Sequence, residues 1–505
     1  MCKQVRKPYN ILLLILLIGH SLFASKNPDT KKLEQYLNNK ISELQIPGLA
    51  IGVIYNNEIY YTKGFGYKDL ENKDIIDENT IFAISSITKT FTASLFGILV
   101  SDNLIKFYDK VKIYDTSFFL YNNYYSDNLK VSDLLSHSTG LKTNSADFLW
   151  YGSTFTSDEI LKKLRYIKPV YKIGQNFGYS SLMYLEAGYI LEIVEKKPWD
   201  SILFNRILRP LNMNNTFVSN KYLNKNKNIA KPYILNDNGL QQIDFFNCDN
   251  ILPAASMYSC INDLLKWIKC NLNQKIIAKN VFDEMLQIKT KIDIENYEHA
   301  LWPLMTKKGY GIGWNIIEYK NLKIIYHEGA SDGMSALVAI VPELNSGFTI
   351  LMNRNIWFTH LLLFSVADWL LENKIYDYSP YFIEQNIISK NSIKKYIEKI
   401  ESQKINIEAD RLKMINGKYF SEIYGEAQIY DENGKKWIYF EKLPLFKAQI
   451  ESITENKYLI EMIKIPWLPK GTIDFIESDK KIKMYIYIPN IDFDFSELDF
   501  YKPLK

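Results

Sequence analysis

Apolar residues at Leu33, Leu37, Ile41 and Leu44 recur at helical spacing, which predicts an amphipathic helix over 30–45. Pro47-Gly48 stops it. Leu49 to Tyr55, Asn56-Asn57, and Glu58 to Thr62 then read as a β-hairpin, because two turn-forming residues separate two strand-like runs. Phe91 to Val100 is an apolar helix, and residues 120–300 read mostly as helix and Asn-rich loop. A strand-rich stretch begins at Gly309-Tyr-Gly-Ile-Gly-Trp314. Leu322–Tyr326, Ser335–Val341 and Phe348–Met352 are predicted strands, with Asn345-Ser346-Gly347 as the turn between the last two. Thr359–Leu371 is again an apolar helix.

Strands and helices from both ends of 30–375 thus flank a helical middle. That order implies an α+β fold, an antiparallel sheet flanked by helices with a helical insertion. The Lys- and Glu-rich helical stretch 390–403 falls in an expected linker, 376–410. From about residue 415 the composition changes, a boundary good to a few residues. Lys418–Phe420, Ala427–Tyr430, Trp437–Phe440, Lys457–Met462 and Ile482–Ile488 read as short strands, with Asn433-Gly434 among the turns. Residues 411–505 are therefore expected to form a small all-β barrel or sandwich, without a catalytic residue of its own.

The N-terminus adds an address. Lys3, Arg6 and Lys7 precede the apolar run Ile11–Ile18, and Ser21, Ala24 and Ser25 follow it. This is a signal-peptide pattern over 1–24, implying an exported protein, periplasmic or secreted. An uncleaved anchor is the alternative; the run is short for a bilayer span, and no later stretch approaches one. No Cys ends the run, which argues against lipid modification. Removing 1–24 lowers the net charge from +4 to +1, so nothing electrostatic favours nucleic acid. Cys2 leaves with that segment, and Cys248, Cys260 and Cys270 remain. A Cys260–Cys270 bridge is one reading; three buried thiols are the favoured one. The five histidines, His20, His137, His299, His327 and His360, include no His-Glu-x-x-His, so a zinc hydrolase has no support.

Candidate chemistry sits at Ser86-Ile-Thr-Lys89. Ser and Lys three apart at a helix start share a face, so the amine can reach the hydroxyl. A serine needs a partner that takes its proton, and burial beside a helix N-terminus lowers a lysine pKa toward that task. The same four residues also make an ordinary helix start. Tyr179-Ser180-Ser181 before the apolar helix Leu182–Val194, and His327-Glu-Gly-Ala330 after Leu322–Tyr326, offer further polar groups. Alone, Tyr179 would be a core tyrosine and His327 a turn residue.

Together and in this order, these segments resemble the serine β-lactamase and penicillin-binding-protein superfamily. The class C-like branch, with its D-Ala-D-Ala carboxypeptidases, D-aminopeptidases and esterases, is the nearest. Phe82-Ala-Ile-Ser-Ser-Ile-Thr-Lys-Thr-Phe-Thr-Ala93 looks like its nucleophile segment. Leu134-Leu-Ser-His-Ser-Thr-Gly-Leu141, Gly174-Gln-Asn-Phe-Gly-Tyr-Ser-Ser181 and Pro253-Ala-Ala-Ser-Met-Tyr-Ser259 with Asp263 and Trp267 are similar to three more family stretches. The resemblance covers about 30–375 and, more loosely, the β-rich end. It implies a β-lactamase/transpeptidase-like fold and an acyl-enzyme hydrolase that uses no metal or cofactor. Ser86 would be the nucleophile, Lys89 would share its proton, and Tyr179 would act as general base or acid. His327 would stand for the third-motif lysine, and the Ser86 and Ala330 N–H groups would form the oxyanion hole. Ser181 and Gly329 would contact substrate.

Two departures from the family pattern bear on substrate. Ser181 replaces the usual Asn, and His327 replaces Lys, so a substrate carboxylate loses a fixed positive partner. Small esters and D-amino-acid peptides, peptidoglycan-derived ones among them, are expected over β-lactams. Protonation of His327 near the ordinary histidine pKa of about 6.5 is expected to restore the grip. A true β-lactamase and a degraded peptidoglycan-binding module are the alternatives. Gly329-Ala-Ser-Asp-Gly333 also matches a nucleophile elbow, but that motif needs a helix after it, and Met334–Val341 reads as a strand.

Overall fold

The computed structural model describes residues 27–236, 238–405, 414–490 and 493–504. The expected signal peptide, with Cys2 and His20, lies outside them. Helix α1 (Thr30–Glu43) starts at Asp29, whose side chain accepts from the Lys31 N–H, and buries Leu33 and Leu37. The first hairpin pairs β1 (Gly48–Tyr55) with β2 (Glu58–Asp69), Tyr55 opposite Glu58. Its two turn residues, Asn56 and Asn57, both take positive φ, as a primed two-residue turn demands. The second strand runs past the predicted Thr62 to Asp69.

The remaining strands of the main sheet are β3 (Asp74–Ile75), β4 (Thr290–Lys291), β5 (Met305–Tyr310), β6 (Asn315–Tyr319), β7 (Leu322–Ser331), β8 (Met334–Val341) and β9 (Ser346–Met352). The nine strands stand in the order β3-β2-β1-β9-β8-β7-β6-β5-β4, and every pair is antiparallel. The first hairpin thus joins the late strands through β1 and β9, and the intervening helices form an insertion between them. Strands β8 and β9 are buried at every position, because helices cover both faces. One face packs on α1 and the helix Phe358–Glu372, with Leu37, Phe348 and Trp369 in that core. The other face packs on the helices of the insertion, including Thr88–Ser101 and Ile261–Leu272.

Three sequence expectations need correction. The strand-rich stretch begins before Gly309, at Thr290 and Met305. His327 to Ala330 lie within β7 rather than in a turn after it. The expected linker holds a helix of 23 residues, Ser379–Glu401, that starts well before 390; Pro380 sits in its first turn, where a missing N–H costs nothing. This helix stacks Tyr381 on Tyr297 at one end and packs Ile400 on Ile453 and Leu459 at the other, so it bridges sheet and C-terminal region.

The C-terminal strands close into an eight-stranded antiparallel barrel between Gly417 and Pro503. It includes Ala448–Ser452, Gly471–Ser478 and Phe500–Pro503, which the sequence pattern did not single out. Cys248, Cys260 and Cys270 are all free and buried, as the favoured reading held. Among the described residues, no helix is long and apolar enough to cross a membrane.

Candidate active site

Ser86 sits in a single 3₁₀ turn, Ser85–Ile87, that runs straight into the helix Thr88–Ser101. Two contacts pin the turn: the Thr88 hydroxyl donates to the Ser85 carbonyl at 2.6 Å and accepts from the Met257 N–H at 3.2 Å. Ser85 itself is held at φ 45°, a sparsely populated conformation for a residue with a side chain. Strand β7 crosses directly against this turn. A Cβ on Gly329 would stand 2.0 Å from the Ile84 carbonyl oxygen and 3.2 Å from the Ser86 nitrogen, so only glycine admits the approach.

Lys89 is 0% exposed. Its ammonium nitrogen lies 3.1 Å from Ser86 Oγ, 3.2 Å from Ser181 Oγ and 3.0 Å from the Ala254 carbonyl. Burial brings its pKa down to about 7, with the negative charge of Asp147 pulling the other way. The predicted Ser–Lys pair therefore exists, and the lysine is poised near neutrality. Ser181, 4% exposed, opens the helix Ser181–Glu195 and fills the place of the family's Asn as a partner of Lys89.

Tyr179 sits beside the Ser86–Lys89 pair, its ring centroid 4.8 Å from Lys89 Nζ and its phenol near the Ser86 side chain. Burial holds its pKa well above the usual phenol range, so it is a phenol at neutral pH. The segment 137–141 carries it: the Gly178 N–H donates to the His137 carbonyl, and His137 Nδ1 accepts from the Ser180 N–H at 3.1 Å. His137 is packed among Tyr179, Tyr184, Tyr310 and Phe177, and burial keeps it neutral. The sequence reading gave it no such part.

His327 departs from the sequence expectation. It is 2% exposed, and both ring nitrogens are engaged. Nδ1 lies 2.7 Å from the Glu328 carbonyl, which can only accept, so Nδ1 carries the proton and Nε2 accepts from the Tyr310 hydroxyl at 2.9 Å. Burial lowers its pKa to about 3. The expected gain of positive charge near pH 6.5 is therefore overturned: a charged ring would be desolvated beside Lys89. His327 lines the cavity as a neutral, locked ring.

Ser86, Tyr179, Ser181, His327 and Ala330 all line one cavity of about 340 Å³. Gly329, expected to contact substrate, instead makes the close backbone crossing described above. Ser331 also lines the cavity, but it ends a β-hairpin, with Ser331 opposite Met334 around Asp332-Gly333. No helix follows, so the nucleophile-elbow reading is excluded.

Other walls were not foreseen. Asp147 lines the cavity at 6% exposure, and burial raises its pKa to about 6. Phe493, from the barrel, lines it too. The barrel grips the segment that carries Asp147: Glu497 accepts from the Ala146 N–H at 2.8 Å, Lys142 pairs with Asp494 at 2.8 Å, and Phe148 packs on Phe446 and Phe495. These contacts join residues hundreds of positions apart in the chain, which hides them from local pattern. Among the described residues, no group of three His, Cys, Asp or Glu side chains could hold a metal ion.

The arrangement places a serine hydroxyl beside a buried amine able to take its proton, with a phenol close by. A profile of the Beta-lactamase family matches residues 31–362. The chain is 24% identical over 392 residues to the unguisins hydrolase ungD′ of Aspergillus campestris, covering 73% of this chain and 71% of that protein. Its fold is similar to the octameric penicillin-binding protein homologue from Pyrococcus abyssi, with TM-score 0.62 and 22% identity over 94% of this chain and 100% of that one. It is also similar to a D-stereospecific amidohydrolase from Streptomyces, with TM-score 0.54 and 20% identity over 65% and 94% of the two chains. The family match spans well over half of the sequence and includes Ser86, Lys89 and Tyr179, and so the protein belongs to the Beta-lactamase family of serine hydrolases.

Proposed function

We propose that the protein hydrolyses small esters and D-amino-acid amides or peptides through an acyl-enzyme on Ser86, in preference to β-lactams, outside the cytoplasm. The observation that carries this is Lys89 Nζ at 3.1 Å from Ser86 Oγ, with its pKa near neutrality.

Neutral Lys89 takes the Ser86 proton as Oγ bonds to the substrate carbonyl carbon. The carbonyl electron pair moves to oxygen, where the Ser86 and Ala330 N–H groups receive it; such donors are each worth about 3–4 kcal/mol. Collapse breaks the bond to the leaving group. The Tyr179 phenol protonates that group, and the Lys89 ammonium restores the proton to Tyr179. A water, deprotonated by Lys89, then attacks the acyl carbon, releases the acid and returns the proton to Ser86.

The preference against β-lactams now rests on different grounds from charge lost at His327 alone. The ring is neutral and fully engaged, and Asp147 and Asp332 line the cavity. A substrate carboxylate would meet anions rather than a cation. Turnover of p-nitrophenyl butyrate, a D-alanine p-nitroanilide and nitrocefin by wild type and Ser86→Ala tests the reading. Ser86-dependent ester or anilide turnover above nitrocefin turnover is expected. Efficient nitrocefin hydrolysis with poor ester turnover would make β-lactamase the better description.

A further inference from the structure

A second cavity lies on the face of the sheet turned away from Ser86. It holds about 770 Å³ between the end of α1, strand β7 and the helix Ser379–Glu401. That volume falls within the range of about 300–1,000 Å³ usual for small-molecule sites. Four charged side chains line it: Glu43, Glu328, Arg354 and Lys390. Both carboxylates already have partners, Glu43 with Lys40 at 2.5 Å and Glu328 with His360 Nδ1 at 3.1 Å.

Arg354 differs. Its Nη1 donates to the carbonyls of Leu44 and Gln45 where α1 ends, the second at 3.4 Å. Among the described residues, Nε and Nη2 have no partner and no carboxylate pairs with the guanidinium. Burial pulls its pKa down to about 10, with no acidic neighbour acting against it, and it stays charged at neutral pH. A charge held out of water without a counter-ion is costly. A planar guanidinium with N–H groups to spare takes a carboxylate or phosphate through two parallel bonds. Lys390, exposed on the helix, adds a second positive charge at the rim.

The rest of the wall is apolar, with Ile356, Trp357, Phe382, Ile383 and Ile387. Trp357 and Ile387 are 36% and 55% exposed, so this surface is open to a ligand from solvent. Burying a hydrocarbon chain against it is favourable. From the unpaired guanidinium at one end of this apolar cavity, we infer that it binds a single-chain amphiphile with an anionic head. The head sits on Arg354 and the chain lies against Trp357 and Phe382. This site is separate from the chemistry at Ser86 and does not depend on it.

The test is equilibrium dialysis of the protein against decanoate, decyl phosphate and 1-decanol below their micelle concentrations. The three share a chain and differ in the head. At least one anion is expected to bind tenfold or more tightly than the alcohol, and the tighter of the two tells carboxylate from phosphate. Arg354→Gln, which keeps a donor for the Leu44 carbonyl, is expected to remove most of that preference. Ile387→Glu places a negative charge on an exposed helix position of the cavity wall and is expected to weaken both anions several-fold. It decides the matter even where Arg354→Gln does not fold. Alcohol bound as tightly as both anions would overturn the inference. So would an undiminished preference for the anions in either folded variant.

Discussion

Tyr310 donates its hydroxyl to His327 Nε2 at 2.9 Å, and this one bond decides what the third motif can do. With Nδ1–H committed to the Glu328 carbonyl, the ring has no nitrogen left for a substrate, and protonation of Nε2 would force the Tyr310 hydroxyl from donor to acceptor. The predicted outcome is that His327 stays neutral down to about pH 4, since its pKa lies at about 3. Ring ¹⁵N shifts followed from pH 8 to pH 4 check this; an imidazolium signature at pH 6 would contradict it. The folded-state pKa lies below the unfolded value of about 6.5, so the unfolded chain binds the extra proton first. Stability contributed by the neutral ring is present above pH 6.5 and declines as the pH falls below it, so Tm should fall between pH 6.5 and pH 4.

Acylation should follow the neutral form of Lys89. With its pKa at about 7, kcat/KM is expected to rise about tenfold per unit below that pH and to level off above it. The Asp147 charge raises the Lys89 pKa, so Asp147→Asn should move the midpoint of the profile to lower pH. A profile flat from pH 5 to pH 9 would mean that Lys89 is not the base, and a midpoint near 10, the ordinary lysine range, that burial does not lower its pKa. Lys89→Met should reduce acylation by about 10²–10⁴-fold, the usual worth of a positioned base.

Much of this site is local in sequence, and that part was legible. The Ser86–Lys89 spacing, the helix after Tyr179 and the Asn56-Asn57 hairpin each depend on residues within a few positions of one another, where periodicity and turn chemistry act. The strands β8 and β9 were visible as apolar runs because both faces are buried. His327 read as a turn residue because β7 continues through two polar positions: His327, which faces the site, and Glu328, whose side chain turns to the other face and pairs with His360. Its partner Tyr310 lies on β5, two strands away, and only the sheet order brings them together. Asp147 and Phe493 were illegible for the same reason: their places depend on how the barrel docks. Gly471–Ser478 escaped notice because Asp474 interrupts its apolar run.

The barrel should govern substrate fit without contributing to proton transfer. Phe493→Ala removes an aromatic wall of the cavity and leaves the Ser86–Lys89 pair untouched. KM for a phenylacetyl ester is expected to rise several-fold while turnover of p-nitrophenyl acetate changes little. Equal KM values for wild type and variant would remove the barrel from substrate recognition. Glu497→Ala, which deprives the Ala146 N–H of its acceptor, should cost about 1–3 kcal/mol of stability, measurable by urea unfolding.

The basic-apolar-small pattern at the N-terminus carries the proposal of export. Mass spectrometry of the protein from its native source should find a mature N-terminus near residue 25 in an extracytoplasmic fraction. Residue 1 retained in a cytosolic fraction would contradict it.

Covalent chemistry at Ser86 is the claim on which the rest depends, and active-site labelling tests it most directly. Wild type and Ser86→Ala are incubated with a fluorophosphonate at pH 8, where Lys89 is mostly neutral, and the adduct is located by peptide mass spectrometry. The account predicts one adduct on Ser86, slowed at pH 5.5 and absent in Ser86→Ala protein whose Tm is unchanged. No adduct on the wild type, or a label that persists in Ser86→Ala, would contradict it.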